Sequence, residues 1–501
     1  METLVKYRKE IAIFLLTAVL YFALRLPNLT LQPIFADEAI YIRWAQVMRA
    51  EPTLRFLPLS DGKTPLFMWA MIPLFKIFDD PLYAGRFLSV LSGFGTLVGV
   101  FLLGRRIFGS SVALWSALIY TVTPYTVFFD RMALVDSMLS AFTLWSLYLT
   151  VWLVQSQRLD LAMILGYMLG GALLTKTPAM INLLVLPVSL LGFNFGKLKK
   201  FNLVKLLGLW IVAIVIALGL YNILRLGPSF TQLSVRNADY IFSPTDLIGR
   251  PLDPFLPHVG DIADWFPKLL TWPILLVMAV GIIYLITLRH RVGLTILLWA
   301  IIPLVLQMAF LKTFTTRYLL FSIPPLLVIG AYGLGKLLQS LKILSIPKVL
   351  ILTVLLLISP LYFNYLLVTN PEQAPLPRGE RRGYLEDWTA GYGFSQIAEF
   401  LLERKKEGMV VVGTEGYFGT LPDGLQIYLD KAAIPIIGGS ASVSAQLKEA
   451  ASANQTFYIA NKNRLPKHLD GVKLIKEYPK AKPLDGKPQD AIVVYKVLPE
   501  F

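Results

Sequence analysis

Two adjacent carboxylates, Asp37 and Glu38, stand at the start of a helix-like stretch shortly after the first apolar segment. At helical spacing Asp37 and Tyr41 share one face, while Glu38 turns toward the next. Partial desolvation at a membrane surface raises the pKa of a carboxyl group, and such a group can take the proton of an attacking hydroxyl. The alternative is local, because Asp37 could cap the helix and Glu38 could be a first-turn acid favoured by the helix dipole.

Cations recur at connections between later apolar segments. Lys63 precedes the apolar stretch 66–78, which is too short to cross a membrane and is typical of an interfacial or re-entrant helix. Lys63 could hold a phosphate there, or extend to lipid headgroups. Arg317, followed by Tyr318, offers a planar guanidinium suited to clamping phosphate. His258 belongs to a long outer loop whose aromatic and proline content fits an ordered lid over a substrate groove.

Further charges lie within or beside the apolar segments. Arg86 is near the outer end of the second segment, where it requires an acidic partner such as Glu38 or a bound phosphate. Arg131 and Asp136 flank the next outer turn, either as a cap with a local ion pair or as site residues, and Lys176 follows at another turn. Together these cations could stabilise a leaving lipid phosphate while a carboxylate activates an alcohol.

The elements that would position these side chains are membrane helices. Of the 501 residues 55% are hydrophobic and 16% charged, whereas about a quarter are charged in soluble domains. Cysteine is absent, which excludes disulfides and a cysteine nucleophile, and three histidines leave little room for a histidine-rich metal site. Eleven spans are predicted at 11–29, 82–103, 110–129, 137–156, 160–175, 178–195, 206–226, 269–288, 292–311, 318–338 and 347–368.

Basic residues indicate the orientation of these spans. Arg105, Arg106, Arg158, Arg289 and Arg291 fall in alternate short connections, so we expect those connections and the N-terminus to be cytoplasmic. An odd number of spans in the cell membrane then leaves the C-terminal segment outside. The net charge of +15 is spread over separate loops rather than gathered on one face, which argues against nucleic acid binding.

The chain changes character after the last span, where charge density rises. Helix-like stretches at 395–406 and 442–451 alternate with strand-like runs at 409–412, 434–437, 457–460 and 491–497. The predicted architecture is therefore an all-α membrane region of about eleven helices, residues 1–369, with interfacial helices in its first outer loop. An extracytoplasmic α/β domain, residues 370–501, completes it.

The order and placement of these residues resemble the C-type glycosyltransferases (family 39-like), in the branch of protein O-mannosyltransferases and bacterial aminoarabinose transferases. The resemblance rests on Asp37-Glu38 with Tyr41, Lys63-Thr64-Pro65, Gly85-Arg86-Phe87, Arg131 to Asp136, Thr175-Lys176-Thr177-Pro178 and Arg317-Tyr318. One position departs from it, since relatives in the aminoarabinose branch commonly carry an acid where this chain has Gly62.

The resemblance implies inverting transfer of a hexose or pentose from a polyprenyl-phosphate donor. Asp37 would be the base or orient the acceptor, and Glu38 would position an active-site arginine such as Arg86 or Arg131. Lys63 and Arg317 would bind the donor phosphate. The full set of candidate phosphate-binding residues is Lys63, Arg86, Arg131, Arg317 and Tyr318, and the candidate substrate-binding residues are Tyr41, Asp136, Lys176 and His258.

The implied acceptor is a hydroxyl of a protein, lipid or glycan. No cofactor is required if side chains stabilise the leaving monophosphate, although Asp37 and Glu38 could accept a magnesium or manganese ion. A transporter or flippase of lipid-linked sugars is the main alternative, but it favours polar groups near the midplane and two related halves. A scaffold with a sensing domain would not require Asp37, Lys63 and Arg86 together.

Overall fold

The computed structural model describes residues 2–193, 200–250, 252–341 and 346–499, and most of them are helical. The helices up to the first long membrane segments are α1 (Glu2–Arg25), α2 (Ala36–Ala50), α3 (Leu66–Met71), α4 (Pro81–Phe108), α5 (Ser110–Val122), α6 (Pro124–Asp130) and α7 (Val135–Ser156). The next are α8 (Leu159–Thr175), α9 (Met180–Leu184), α10 (Lys200–Asn222), α11 (Gln232–Tyr240), α12 (Pro244–Ile248), α13 (Phe255–Leu269) and α14 (Trp272–Thr287). The last are α15 (Arg291–Phe310), α16 (Ile323–Ser340), α17 (Ile346–Thr369), α18 (Arg378–Arg381), α19 (Phe394–Glu407), α20 (Asp423–Leu429) and α21 (Ala445–Ala451).

The described residues contain six helices that are long and apolar enough to cross a membrane, or up to eight if each bent pair counts as one span. The bent pairs are α5 with α6, at 60°, and α13 with α14, at 115°. A multi-span membrane protein is therefore confirmed, whereas the count of eleven is not. The predicted first and fifth spans lie on α1, which has charges near both ends, and on α8, which has 17 residues.

The sixth predicted span, 178–195, is not one continuous helix. Its described part consists of the 3₁₀ turn Thr177–Ala179, the short helix α9 and the 3₁₀ segment Leu186–Gly192, while residues 194 and 195 lie outside the described residues. Pro187 has no N–H to donate to a preceding carbonyl, which disfavours a regular helix at this point, and α9 ends at Leu184, before it. The sequence predicted a span here because the average hydrophobicity of the segment is high, and that average is insensitive to a break in the helix at one residue.

The glycines of the fifth predicted span allow α8 to pack closely on α10. A Cβ atom at Gly170 would lie 2.5 Å from Leu220 Cδ1, and one at Gly166 would lie 2.7 Å from Ile216 Cβ. Small residues of this kind let two membrane helices approach, which increases van der Waals contact in the absence of a strong hydrophobic drive. The glycine content of α8 is thus explained by helix packing.

The C-terminal residues form a five-stranded sheet flanked by helices. Its strands are β3 (Val410–Glu415), β4 (Ile436–Gly439), β5 (Gln455–Asn461), β6 (Val472–Pro479) and β7 (Ala491–Val497), after two short strands β1 (Ile34–Phe35) and β2 (Ala390–Gly391). The order is β4-β3-β5-β7-β6, with β3 parallel to β4 and β5, and β7 antiparallel to β5 and β6. Four of these strands were predicted, and β6 and α20 were missed.

The C-terminal region contacts the segment between α1 and α4 at two places, one just before α2 and one along it. Strands β1 and β2 pair antiparallel immediately before α2, and Ala36 N donates to the Thr389 carbonyl at 3.0 Å. Further along α2, Arg43 and Arg49 each form an ion pair with Asp430, the residue that follows α20, at 2.7 Å. These contacts fix the position of α2, which carries Asp37 and Glu38, relative to the C-terminal sheet. The division of the chain at residue 370 stays a prediction.

Candidate active site

Asp37 and Arg317 form an ion pair between the segment that joins α1 to α4 and the turn that precedes α16. The Arg317 Nη1 donates to Asp37 Oδ2 at 2.5 Å, and the two side chains are 14% and 23% exposed. The guanidinium also lies 5.5 Å from the Phe35 ring and 5.3 Å from the Tyr318 ring. Because Asp37 starts α2 and Arg317 follows α15, this pair joins segments that are 280 residues apart.

The pKa of Asp37 lies below its ordinary value, contrary to the prediction that desolvation raises it. Burial does raise the pKa, but Arg317, Lys63 and Lys176 favour the carboxylate and together outweigh burial. The carboxylate is thus charged over a wide pH range. Its capacity as a base therefore depends on whether these cations also bind another anion, because that would weaken their stabilisation of the Asp37 carboxylate.

Glu38 faces away from Asp37 and binds Arg86 with both oxygens. Arg86 Nε and Nη2 donate to Glu38 Oε1 and Oε2 at 2.8 Å each, and both side chains are buried. Glu38 also accepts from Ala133 N at 2.7 Å and Phe35 N at 2.9 Å. The pairing of Arg86 with Glu38 agrees with the sequence interpretation of Arg86. Glu38 is committed to four donors, which is inconsistent with a catalytic role at the reacting atoms.

Arg86 and Arg131 both bind backbone carbonyls of the segment from the end of α1 to β1. The other guanidinium hydrogens of Arg86 bind the carbonyls of Leu29, Gln32 and Pro33 at 2.9 to 3.1 Å. Arg131 donates to the carbonyls of Arg25, Pro27 and Asn28 at 2.7 to 2.9 Å, so it caps the end of α1. All five donors of Arg86 are used on protein acceptors, and neither arginine lines the cavity beside Asp37 and Arg317, so the predicted phosphate-binding role of both is not supported by their positions.

A second buried ion pair joins Arg25 and Asp130, and the sequence interpretation did not identify Arg25 as a partner. Arg25 Nε donates to Asp130 Oδ2 at 2.9 Å, and both side chains are almost fully buried. Asp130 also accepts from Ser137 at 2.9 Å and Tyr120 at 3.1 Å. An ionisable residue within an apolar segment is the sequence signal that could have identified this pair.

A cavity of about 370 Å³ opens beside the Asp37–Arg317 pair. Its charged lining consists of Lys63, Lys176, Arg236 and Arg317, and its aromatic lining consists of Tyr41, Tyr240, Phe310 and Tyr318. Its apolar lining includes Val135, Pro178, Met180, Ile181, Ile241, Leu306 and Leu311. The cavity therefore combines four cations with an extended apolar wall, an arrangement that suits an anionic headgroup attached to a hydrocarbon chain.

Lys176 and Lys63 meet different surroundings in this cavity. Lys176 Nζ binds Asp136 Oδ1 at 2.6 Å and lies 4.2 Å from the centre of the Tyr318 ring. Lys63 Nζ lies 5.1 Å from the Tyr240 ring, and no carboxylate of the described residues is within ion-pair distance of it. Lys63 is thus the cation of this group with the most capacity for an external anion.

Arg236 lines the cavity although it was not among the predicted site residues, and its position accounts for the glycine at residue 62. Arg236 Nη2 binds Asp61 Oδ1 at 2.8 Å. Gly62 has a φ of +66°, and a Cβ atom there would lie 2.5 Å from Arg236 Cβ. An acid in place of Gly62 would strain the backbone and collide with Arg236, so the departure from the aminoarabinose branch follows from the packing of α11.

His258 lies outside the cavity. It is 8% exposed, its Nδ1 is 2.8 Å from the Met308 carbonyl, and its ring stacks on Phe314 at 4.2 Å. These contacts give it a packing role on α13, so the predicted substrate-binding role of His258 is not supported by its position.

The two adjacent carboxylates do not share a common position for a cation, since Asp37 turns to Arg317 and Glu38 to Arg86. Over the described ranges, no group of three or more His, Asp and Glu side chains could hold a metal ion.

Comparison with known proteins gives a consistent result at the level of the fold. Residues 62–221 match the family model of dolichyl-phosphate-mannose-protein mannosyltransferase. ArnT from Cupriavidus metallidurans in the apo state superposes with a TM-score of 0.55 and 18% identity, over 97% of each chain. The chain has the fold of the C-type glycosyltransferases. The resemblance predicted from the sequence is thereby confirmed.

Other solved C-type structures support the same conclusion. ArnT bound to undecaprenyl phosphate gives a TM-score of 0.55 at 18% identity, over 97% of this chain and 98% of that chain. The archaeal oligosaccharyltransferase AglB from Archaeoglobus fulgidus gives 0.52 at 12% identity, over 91% of this chain and 70% of that chain. A comparison with curated protein sequences gives no match. The matched family segment includes Lys63 and Lys176 but neither Asp37 nor Arg317.

Proposed function

We propose that the protein is an integral-membrane glycosyltransferase that moves a sugar from a polyprenyl-phosphate donor to an acceptor hydroxyl, with inversion at the anomeric carbon. The observation that carries this proposal is the cationic and apolar cavity beside Asp37. A membrane enzyme of this class must bind a lipid chain, neutralise a phosphate and activate an alcohol, and this one region offers groups for all three tasks.

The donor would bind with its phosphate between Lys63 and Arg317. Lys63 has no carboxylate partner in the described part of the chain, and Arg317 can donate further hydrogen bonds while one Nη1 contact holds Asp37. The apolar wall near Met180 and Ile181 would receive the first isoprene units. The structure of ArnT with undecaprenyl phosphate, a molecule of this class, supports the choice of ligand for the same fold.

Transfer would proceed in one displacement. Asp37 takes the proton of the acceptor hydroxyl, the acceptor oxygen attacks the anomeric carbon from the face opposite the phosphate, and the bond from that carbon to the phosphate oxygen breaks. Lys63 and Arg317 stabilise the negative charge that accumulates on the leaving polyprenyl phosphate. Lys176, held by Asp136 at 2.6 Å, contributes positive charge to the same cavity.

The orientation and domain organisation belong to this proposal. In the cell membrane, the N-terminus would be cytoplasmic, and the active site and residues 370–501 would face outward. The acceptor would then be a protein, lipid or glycan that reaches the outer membrane surface. Contacts of the C-terminal region with α2 support a role for this region in holding the catalytic helix.

The test is transfer by purified Asp37→Asn protein from a panel of radiolabelled polyprenyl-phosphate sugars. Loss of the base should slow transfer by roughly 10²- to 10⁴-fold while polyprenyl-phosphate binding is retained. Asp79→Asn, in the same outer loop and exposed to solvent, is the matched control and should transfer normally.

Two results would overturn the assignment. Transfer by Asp37→Asn at the wild-type rate would exclude Asp37 as the base. In a parallel measurement, Arg317→Ala should bind undecaprenyl phosphate more weakly than the wild type, and unchanged affinity would contradict the phosphate-binding role of Arg317.

A further inference from the structure

Gln307 is a buried amide without a partner. It lies in the last turn of α15 and is 4% exposed, and neither its amide nitrogen nor its amide oxygen has a hydrogen-bond partner among the described residues. Buried polar side chains are nearly always hydrogen-bonded, because desolvation of an unpaired amide is costly. An exception of this kind needs an explanation, and a bound ligand is one.

The position of Gln307 indicates what kind of ligand would supply the missing hydrogen-bond partners. Gln307 lines the cavity that Lys63 and Arg317 also line, together with the aromatic rings of Tyr240 and Phe310. The volume of about 370 Å³ is within the range of small-molecule sites, which is roughly 300–1,000 Å³. A sugar presents hydroxyl groups at its rim and C–H groups on its faces, so it needs both polar partners and apolar or aromatic surface.

The chemistry of an amide suits hydroxyl groups better than a phosphate. A phosphate only accepts hydrogen bonds at neutral pH, and the cavity already contains cations for it. The Gln307 side chain donates two hydrogen bonds and accepts two, and a pair of neighbouring hydroxyls can both donate and accept. We infer that Gln307 binds hydroxyl groups of the donor's sugar and helps to determine which sugar is transferred. This inference rests on the proposed function.

The experiment compares binding of undecaprenyl phosphate with binding of undecaprenyl-phosphate hexoses and pentoses. For the wild type, the sugar that increases affinity most over undecaprenyl phosphate alone is selected as the probe. Gln307→Leu, of similar size, should bind undecaprenyl phosphate as the wild type does and bind the probe roughly ten- to a hundredfold more weakly, the effect of losing two hydrogen bonds.

Asn364→Leu is the matched control for a buried membrane amide. Asn364 is fully buried on α17, outside the cavity lining, and its Nδ2 donates to the Val122 carbonyl at 2.7 Å. Its replacement should lower the temperature of thermal unfolding without changing the preference for the probe. Gln307→Leu should leave the unfolding temperature equal or raise it, because no protein hydrogen bond is removed.

Each remaining outcome has a defined meaning. If Gln307→Leu binds the probe as tightly as the wild type does, the inference is wrong while the proposed function stands. The same holds if its affinity for undecaprenyl phosphate falls by as much as its affinity for the probe. If no sugar increases the affinity of the wild type, the inference is also wrong. If the wild type binds neither undecaprenyl phosphate nor any of its sugars and transfers none, the proposed function itself fails.

Discussion

Replacing Glu38 by Gln tests whether the pair of Glu38 with Arg86 is structural or belongs to the donor site. Gln keeps the size of the side chain but removes its charge, and its NH₂ group would face donors where Glu38 presents an acceptor. Glu38 receives four hydrogen bonds of 2.7 to 2.9 Å, two of them from Arg86. At least two donors would lose their acceptor, and Arg86 would become a buried cation without a counter-charge.

The magnitude follows from the burial of both side chains, which are 0% and 1% exposed. Breaking a buried ion pair by removing one partner costs about 3–5 kcal/mol. This is a large fraction of a total stability of roughly 5–15 kcal/mol. Solvent screening does not reduce the effect as it does at the surface, because neither group reaches water.

The assay is thermal unfolding in detergent or nanodiscs, combined with titration of undecaprenyl phosphate at a temperature where the variant is folded. Glu38→Gln should unfold at a much lower temperature with donor affinity unchanged. In a double-mutant cycle, Glu38→Gln with Arg86→Met should lose less stability than the sum of the single variants, by about 2 kcal/mol or more.

The reasoning is refuted by the opposite pattern. If Glu38→Gln unfolds like the wild type and binds undecaprenyl phosphate more weakly, Arg86 reaches the donor, as the sequence first suggested. Asp79→Asn controls for loss of one exposed carboxylate and should change stability by less than about 0.5 kcal/mol.

Two further predictions concern the C-terminal region. Asp430→Asn removes the carboxylate that Arg43 and Arg49 share, and should lower stability by about 1–2 kcal/mol at low salt, and by less at high salt. Equal unfolding temperatures of variant and wild type at low salt would contradict this. Burial raises the pKa of Asp423 to about 6, so the folded state should lose stability as pH rises from about 4 to 6. Asp423→Asn, which keeps an acceptor for Gly419 N, should be more stable than the wild type at pH 7 by up to about 3 kcal/mol. Identical pH dependence of unfolding in the two proteins would contradict this.

Much of the membrane region could be predicted from the local sequence, because a charged side chain within an apolar span is costly unless it has a partner. Arg86 within an apolar span required a partner, and the acid named for it, Glu38, is the one it binds. The sixth span shows the limit of the same rules. Its apolar composition fits a span, but the helix ends at Leu184, shortly before Pro187, and the mean composition of a window does not record where a helix breaks.

Contacts between distant segments could not be predicted from spacing. Arg131 and Asp136 were considered as a local ion pair, yet Arg131 caps α1 and Asp136 binds Lys176, 40 residues away. Arg25 binds Asp130 across 105 residues. Strand β6 was missed for a different reason, since its charged residues, typical of a sheet edge, obscure the apolar alternation.

The pKa of Asp37 connects these distant contacts to the proposed reaction. A carboxylate held beside Arg317, with Lys63 and Lys176 nearby, is a weak base because its charged form is stabilised. A donor phosphate that engages Lys63 and Arg317 would bring negative charge close to Asp37, and like charge raises the pKa of a carboxyl group. Asp37 would then become a stronger base only once the donor is bound. The same cations would thus serve donor binding first and acceptor activation second, which links the two substrates through the charge on Asp37.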